Sequence, residues 1–317
     1  MKTTLVTAVG SAAAGPVNER LHALGHRVIG CDLYPREWNA VSGEVDEFFQ
    51  IEPASNTEAY LSQLLEAVGR YRPDYLIPLT DVEVDVLCPL SSRLAALGCA
   101  LCAPDASAAR LCRDKQAMAQ RLSAKGVCRT IPTFSPYGRQ PKPSEYPLML
   151  KPLRGRSSQG QAVAHTPQEY ANALNSRTDL IAQPYLTGDV YTVDVARDAR
   201  GQTQALARRE LLRTQNGLGT TVETLPEHPL NAICARIAET AGIVGVVNME
   251  FIAHDGDYYF LEVNPRFSGG VGFSVAAGVD FPALALLCRD GADIGPRKPA
   301  RALILTRKIS LFATRRL

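Results

Sequence analysis

The sequence predicts an α/β unit built on a doubly wound parallel sheet, followed by a second unit of α+β type with antiparallel strands. Three observations carry this reading. The chain has 317 residues, 46% of them hydrophobic, which is too long for one ordinary domain and makes two or three the expectation. Apolar strands alternate with helical patterns over roughly the first hundred residues, as βαβ units require. Past a proline-rich stretch (Pro132, Pro136, Pro141, Pro143, Pro147) that rhythm gives way to strands following strands.

Taken in order, Thr3–Val9 reads as a buried first strand and Gly10–Gly15 as a tight turn. Pro16 sits where a first helical residue can lack its N–H, opening a helix over Val17–Leu24 that Gly25 ends. Strand Arg27–Asp32, helix Thr57–Arg70, strand Tyr75–Leu79, helix Val82–Leu97 and strand Ala100–Cys102 complete the first unit. Asp114 is placed to cap a helix over Lys115–Lys125. Strand Leu148–Lys151 runs into a polar loop, and Thr166-Pro-Gln-Glu169 opens the next helix as a capping box with proline at its first position. Strands at Leu180–Tyr185, Val190–Arg197 and Gln204–Leu211, helix Leu230–Ala241, strands Val246–Ala253 and Tyr258–Asn264, and apolar helical segments near Val271–Ala277 and Pro282–Leu287 follow.

Composition excludes several functions. Lys+Arg 34 against Asp+Glu 32, interspersed, gives neither a basic field for nucleic acid nor a block for a lipid surface. Leu5–Val9 is too short for a signal-peptide core, and no stretch reaches the about 18 apolar residues of a membrane span. Eight scattered cysteines do not make a secreted disulfide framework, so a reduced cytoplasmic setting is expected, with Cys99-Ala-Leu-Cys102 read as a buried strand. The five histidines have no metal-ligand spacing, and Gly-x-Ser-x-Gly is absent. Gly10 to Gly15 lacks the G-x-G-x-x-G spacing of a dinucleotide fold.

The strongest chemical signal is Asn248-Met-Glu250 followed by Phe260-Leu-Glu262-Val-Asn264-Pro-Arg266. Residues two apart in a strand share a face, so Glu262 and Asn264 point the same way. Oxygen donors at that spacing suit Mg²⁺, which keeps one or two carboxylates and fills its other positions with phosphate and water. Arg266 would steady the phosphate being transferred. An acidic strand facing solvent is the alternative. Register sets a condition: across a simple two-residue turn at Asp255-Gly256, Glu250 faces Leu261, so convergence of Glu250 with Glu262 needs an odd-length connection or a bulge. A second cluster is Lys151 at the end of an apolar strand, followed by Arg154-Gly-Arg-Ser157-Ser158-Gln-Gly160, which can aim a charge and backbone N–H groups at phosphates without being a P-loop. A third, Gln183-Pro-Tyr185-Leu186, offers polar groups and an apolar side chain to a purine.

In this order and on these elements, the three clusters resemble the ATP-grasp superfamily, with the carbamoyl-phosphate-synthase-like carboxylate–amine ligase branch as the nearest likeness, over almost the whole chain to Gly270. The resemblance implies a pre-ATP-grasp α/β domain over 1–112, then the two-subdomain ATP-grasp fold: a lid subdomain over 113–185 and a C-terminal antiparallel subdomain over 186–317. It implies that Lys115 and Lys151 bind nucleotide phosphates, that Arg154, Ser157, Ser158 and Gly160 belong to a phosphate flap, and that Gln183, Tyr185 and Leu186 form the adenine hinge. Glu250, Glu262 and Asn264 would be the metal ligands, for two Mg²⁺ ions with Mn²⁺ as a substitute, and Arg266 the phosphate-stabilising arginine. Lys151 and Arg209 would join Arg266 in catalysis, with Arg208 and Arg213 as alternatives to Arg209. Relatives place a ribose-binding Glu where this chain has Val190, so Asp189 replaces it only if the backbone shifts there. Ser11, Asp32 and Thr80-Asp81-Val-Glu83 are substrate-side candidates.

The activity implied is ATP-dependent activation of a small-molecule carboxylate as an acyl phosphate and its joining to an amine, with release of ADP and phosphate. Another ATP-driven phosphorylation of a carboxylate or carbamate, or a non-catalytic ATP-binding regulatory role, stays open. No nucleic-acid or membrane partner is expected, and the superfamily makes a homodimer an expectation.

Overall fold

Strands β1 (Thr3–Val6), β2 (Arg27–Asp32), β3 (Glu47–Gln50), β4 (Tyr75–Ile77) and β5 (Ala100–Leu101) form a parallel sheet in the order β3-β2-β1-β4-β5. Helices α1 (Ala14–Ala23), α2 (Thr57–Tyr71), α3 (Asp81–Leu87) and α4 (Ser91–Ala96) make the crossovers. The order reverses at β1, so the loops leaving β1 and β4 diverge and open a crevice at the sheet's C-terminal edge. Those loops carry Ser11 and Thr80-Asp81. Thr80 and Glu83 form a reciprocal capping box, Oγ1 accepting from the Glu83 N–H at 3.4 Å and Glu83 Oε2 from the Thr80 N–H at 3.0 Å, which fixes where Asp81 enters the crevice. The single helix expected over Val82–Leu97 is broken at Cys88–Leu90 into a 3₁₀ turn, because Pro89 lacks the N–H that would continue the ladder. The structure is a computed structural model and describes residues 1–155, 159–296, 299–308 and 310–315.

The rest of the chain folds as α5 (Ala106–Arg113), α6 (Lys115–Ala124), β6 (Arg129–Thr130), β7 (Leu148–Pro152), β8 (Ala162–Ala164), α7 (Pro167–Ser176), β9 (Leu180–Pro184), β10 (Val190–Arg197), β11 (Thr203–Arg213), β12 (Gly219–Leu225), α8 (Pro229–Thr240), β13 (Gly245–His254), β14 (Asp257–Asn264), α9 (Val271–Ala277), α10 (Phe281–Arg289) and β15 (Ile304–Thr306). Among the described residues these strands make a large sheet, β15-β12-β11-β10-β13-β14-β6, and a small one, β8-β7-β9. The large sheet is antiparallel except where β6 adds parallel to β14. Asp114 caps α6 as expected, its Oδ1 accepting from the Ala117 N–H at 2.8 Å. No single helix among the described residues is long and apolar enough to cross a membrane.

Packing sets the unit boundaries. Cys112 of α5 and Met118 and Leu122 of α6 are buried with Val193, Met249 and Phe260 beneath the large sheet. Residues 113–131 therefore belong to the large sheet rather than to the small one, and the lid as a packed body is the segment around β7, β8, α7 and β9. It has its own core of Leu148, Leu150, Ala164, Tyr170, Leu180 and Ala182. The first sheet, by contrast, shares one continuous core with the large unit: Val6, Val17, Leu21 and Ile77 lie in the same cluster as Leu206, Phe267, Val271 and Phe281.

The β13–β14 hairpin answers the register condition. Its connection is the two-residue turn Asp255-Gly256, both at positive φ (49° and 81°), which matches the twist of the flanking strands. Pairing runs His254 with Asp257 down to Phe251 with Phe260, and then shifts so that Glu250 faces Glu262 and Asn248 faces Asn264. The shift is a β-bulge at Leu261. It turns two successive side chains, Leu261 and Glu262, to the same face while Phe260 and Val263 both stay in the core.

Candidate active site

Two adjoining cavities lie on the inner face of the large sheet. One, of about 390 Å³, is enclosed between the small sheet and β13–β14. The other, of about 440 Å³, is a half-open cleft between β10–β11 and the β1 and β4 loops of the first sheet. Gln159, Asn216, Gly217, Glu250 and Glu262 line both, so the two carboxylates stand in the partition.

The first cavity collects Lys115, Lys151, Gly155, Gln159, Gln183, Tyr185 and Leu186, with Met149, Ile252 and Leu261 as apolar walls. Lys115 Nζ lies 3.0 Å from Glu262 Oε2 and 3.4 Å from the Gly155 carbonyl, so the first turn of α6 ties the metal-type strand to the root of the flap. Lys151 is almost fully buried at the end of β7. Burial lowers its pKa to about 8, against the opposing pull of Glu262 and with the help of Lys115. Gln183 is oriented by donating its Nε2–H to Thr133 Oγ1 at 2.7 Å. Arg154 and Gly160 are exposed and line neither cavity; Gly155, Gln159 and Gln161 take that place in the flap. Ser157 and Ser158 lie outside the described residues.

In the second cavity Glu250, Glu262 and Asn264 share one face with Asn248, Thr192, Arg208 and Arg266. Asn264 donates through Nδ2 to Asn248 Oδ1 (3.2 Å) and to Glu262 Oε1 (3.3 Å), which leaves its carbonyl oxygen as the free end. Burial and the neighbouring Glu262 push the Glu250 carboxyl up, with Arg213 Nη2 at 3.2 Å opposing. Burial also acts against the Glu262 charge, but Lys115 and Lys151 outweigh it and hold its carboxyl low. Two half-buried carboxylates and an amide oxygen on paired strands make a hard-oxygen donor set, and a divalent cation would relieve their mutual repulsion; the residues present fit Mg²⁺ with phosphate oxygens completing its shell. No cluster of three or more His, Cys, Asp or Glu was found among the described residues that would hold a metal without such outside oxygens.

Two expectations need correction. Arg209 pairs in register with Tyr191, on the face away from both cavities, where its guanidinium meets Glu223 (2.8 Å) and Asp189 (3.4 Å). Strand alternation instead turns its neighbour Arg208 inward, opposite Thr192. Arg208 is buried, donating to Asp194 (2.6 Å), Ser268 (2.9 Å) and Glu210 (3.2 Å). Asp189 fails as a ribose ligand for the same reason. The backbone makes no shift: Val190 faces the first cavity and the Asp189 side chain points to Arg209.

Arg266 is held by the first sheet. Its Nη2 donates to Asp81 Oδ2 at 2.7 Å and Nη1 to the Phe267 carbonyl at 3.0 Å. Asp81 also faces Arg113 at 3.6 Å. Ser11, Thr80 and Asp81 line the second cavity, whereas Asp32 is consumed in accepting from the Gly10 and Tyr34 N–H groups at 2.8 and 3.1 Å. Sequence reasoning did not reach Glu210, Asn216, Gly217 or Leu261. The β11–β12 hairpin that supplies three of them has bulges at Glu210–Leu212 and Leu212–Arg213, which scramble the alternation that would have identified it.

Comparison with known proteins bears on family and fold. The family model described as ATP-grasp in the biosynthetic pathway with Ter operon matches residues 176–309. The chain is 28% identical over 296 residues to the formate-dependent phosphoribosylglycinamide formyltransferase of Mycolicibacterium gilvum, covering 84% of this chain and 70% of that one. It is 26% identical over 165 residues to the carbamoyl phosphate synthase large chain of Clostridium beijerinckii, covering 47% of this chain and 15% of that much longer one. Among solved structures, a biotin carboxylase complex with β-γ-ATP from Campylobacter jejuni superposes with a TM-score of 0.77 at 16% identity, covering 94% of this chain and 73% of that chain, a likeness of fold.

Proposed function

The chain belongs to the ATP-grasp superfamily, and from that premise we propose that it is an ADP-forming ligase that activates a small-molecule carboxylate with ATP and joins it to an amine. ATP occupies the 390 Å³ cavity and the carboxylate the 440 Å³ cavity. The observation that carries this is their shared wall: Glu250 and Glu262 stand where a phosphate leaving the first would meet an acceptor in the second.

In this reading the purine lies among Met149, Ile252 and Leu261, with Gln183 and the Tyr185–Leu186 backbone at its edge. Lys115 and Lys151 face the phosphates, and Glu250, Glu262 and Asn264 hold Mg²⁺. The metal supplies charge neutralisation at the phosphates, which matters because carboxylate and triphosphate are both anions. The acid's oxygen attacks the γ-phosphorus while the bond to the ADP oxygen breaks. Arg266, poised between Asp81 and the partition, and Arg208, fixed by Asp194 and Ser268, stabilise the charge that develops. The amine then attacks the acyl carbon and inorganic phosphate departs. Closure of the small sheet excludes the water that would hydrolyse the acyl phosphate.

A screen of carboxylate–amine pairs for ADP release with MgATP, run beside Glu262→Ala, tests the reading. We expect amine- and acid-dependent ADP release from the native protein and a loss of roughly a thousandfold or more in the variant, as for removal of a charge-neutralising ligand in phosphoryl transfer. Near-native turnover by Glu262→Ala refutes the metal assignment.

A further inference from the structure

One buried carboxylate in the second cavity has no task in the reaction above. Glu210, on β11, has a side chain only 3% exposed. Its Oε1 accepts from Arg208 Nε at 3.2 Å, but Oε2 has no hydrogen-bond partner. A buried carboxylate oxygen left unpaired costs more free energy than an ordinary hydrogen bond returns, so such an atom on a cavity wall is a signature of a missing donor.

None of the neighbouring cations donates to Oε2. Arg208 already meets Asp194 at 2.6 Å, so two carboxylates share one guanidinium. Arg307 approaches from β15, but it spends its N–H groups on the carbonyls of Gly219 and Gly269. Arg266 is paired with Asp81 and Arg213 with Glu250. The neighbouring backbone is shaped around Glu210: a Cβ on Gly219 would lie 1.8 Å from Oε2, so the carboxylate occupies the place a side chain would take on the cavity side of β12. Gly219 and Glu210 both line the cavity.

We propose that Glu210 is a specificity residue that receives the ammonium group of the substrate in the second cavity, which makes that substrate an amino acid or another molecule carrying a protonated amine. The inference rests on the ligase reading and narrows its substrate class. An ammonium supplies the charged N–H donor that Oε2 lacks. Arg266, across the same cavity, takes the substrate's carboxylate end, so a zwitterion meets opposite charges at its two ends. A ligand with a neutral amide in place of the ammonium brings one weak donor in place of a charged one.

The test uses a panel of free amino acids and diamines, each beside its N-acetylated counterpart, with binding to the full chain measured by calorimetry and thermal shift in the presence of a non-hydrolysable MgATP analogue. Members with a free ammonium should bind, their N-acetylated forms at least about tenfold more weakly, as loss of a buried charged hydrogen bond requires. Glu210→Gln keeps the shape and the Arg208 contact and should abolish that discrimination. Gly219→Ala, which drives a methyl into the carboxylate, should weaken binding of the same members. Equal binding of free and acetylated forms, unaltered discrimination in Glu210→Gln, or no ammonium-dependent binding anywhere in the panel overturns the proposal. Binding of the MgATP analogue to the native protein is read separately, and its absence marks failure of the ligase reading instead.

Discussion

Replacing Asp81 with asparagine examines the link between the first sheet and the site. Asp81 is 1% exposed and accepts from Arg266 at 2.7 Å, while the Arg266 side chain is 17% exposed. Breaking a buried pair by removing one partner costs about 3–5 kcal/mol when the remaining charge has nothing else. Here the guanidinium keeps the Phe267 carbonyl and some water, so a loss of about 2–3 kcal/mol is expected. With about 2.1 cal/mol/K per residue over 317 residues, each kcal/mol moves the midpoint by about 1.5 °C, giving a fall of about 3–5 °C in the free protein. A phosphate anion beside Arg266 would replace the lost carboxylate. A non-hydrolysable MgATP analogue should therefore raise the midpoint of Asp81→Asn by more than it raises that of the native protein. Thermal unfolding with and without the analogue measures both quantities. If the variant is as stable as the native chain, or if the analogue stabilises it less, the account of Arg266 as a phosphate-facing group balanced by Asp81 is wrong.

Three other variants probe separate parts of the site. Lys151→Met removes a cation whose pKa burial has lowered to about 8 from an ordinary 10.5. Because the folded protein releases this proton before the unfolded chain does, stability rises with pH between about 8 and 10.5 and the full penalty is felt below 8. At pH 7 the variant should gain on the order of 3 kcal/mol in denaturant melts. That gain should shrink by pH 10 while ATP affinity falls at least about tenfold by titration. Arg209→Ala should keep turnover and lie within about 1 kcal/mol of native stability, since its pairs are exposed, whereas Arg208→Lys should lower kcat/KM by about 100-fold through loss of the planar fork. The reverse order would restore Arg209 to the site. Gly188→Ala places a Cβ 1.7 Å from the Ala253 carbonyl oxygen; it should cost more than about 2 kcal/mol in melts and weaken nucleotide binding through the displaced Tyr185–Thr187 wall. A native-like variant would mean that this segment relaxes freely.

The parts of the site that could be read from the sequence are those where local pattern and tertiary role coincide. Glu262 and Asn264 stand two apart on a strand, and period 2 alone puts them on one face. Their meeting with Glu250 was reducible to a parity condition that a bulge at Leu261 satisfies, although nothing in Tyr-Phe-Leu-Glu says where the bulge falls. Arg208 and Arg209 show the converse. Adjacent arginines on one strand must face opposite ways, and which one faces inward depends on the register of β11 against β10. β3, β8, β12 and β15 escaped notice because they are short, half-exposed or at sheet edges, where pairing rather than hydrophobic pattern makes the strand. The lid expected over 113–185 began where the alternating pattern ends, but burial of Met118 and Leu122 under the large sheet is a long-range fact with no local mark.

Alone among the described sheets, the small sheet shares no hydrophobic cluster with another, and it carries Lys151 on its inner strand. The other two sheets are fused through common apolar contacts and would swing together. Among the described residues, the packing therefore places a hinge most readily at the roots of the small sheet. Rotating it outward would rehydrate the Lys151 ammonium, whose burial is what lowers its pKa. If nucleotide phosphates bind beneath that ammonium as proposed, their charge would favour the inward position of the small sheet.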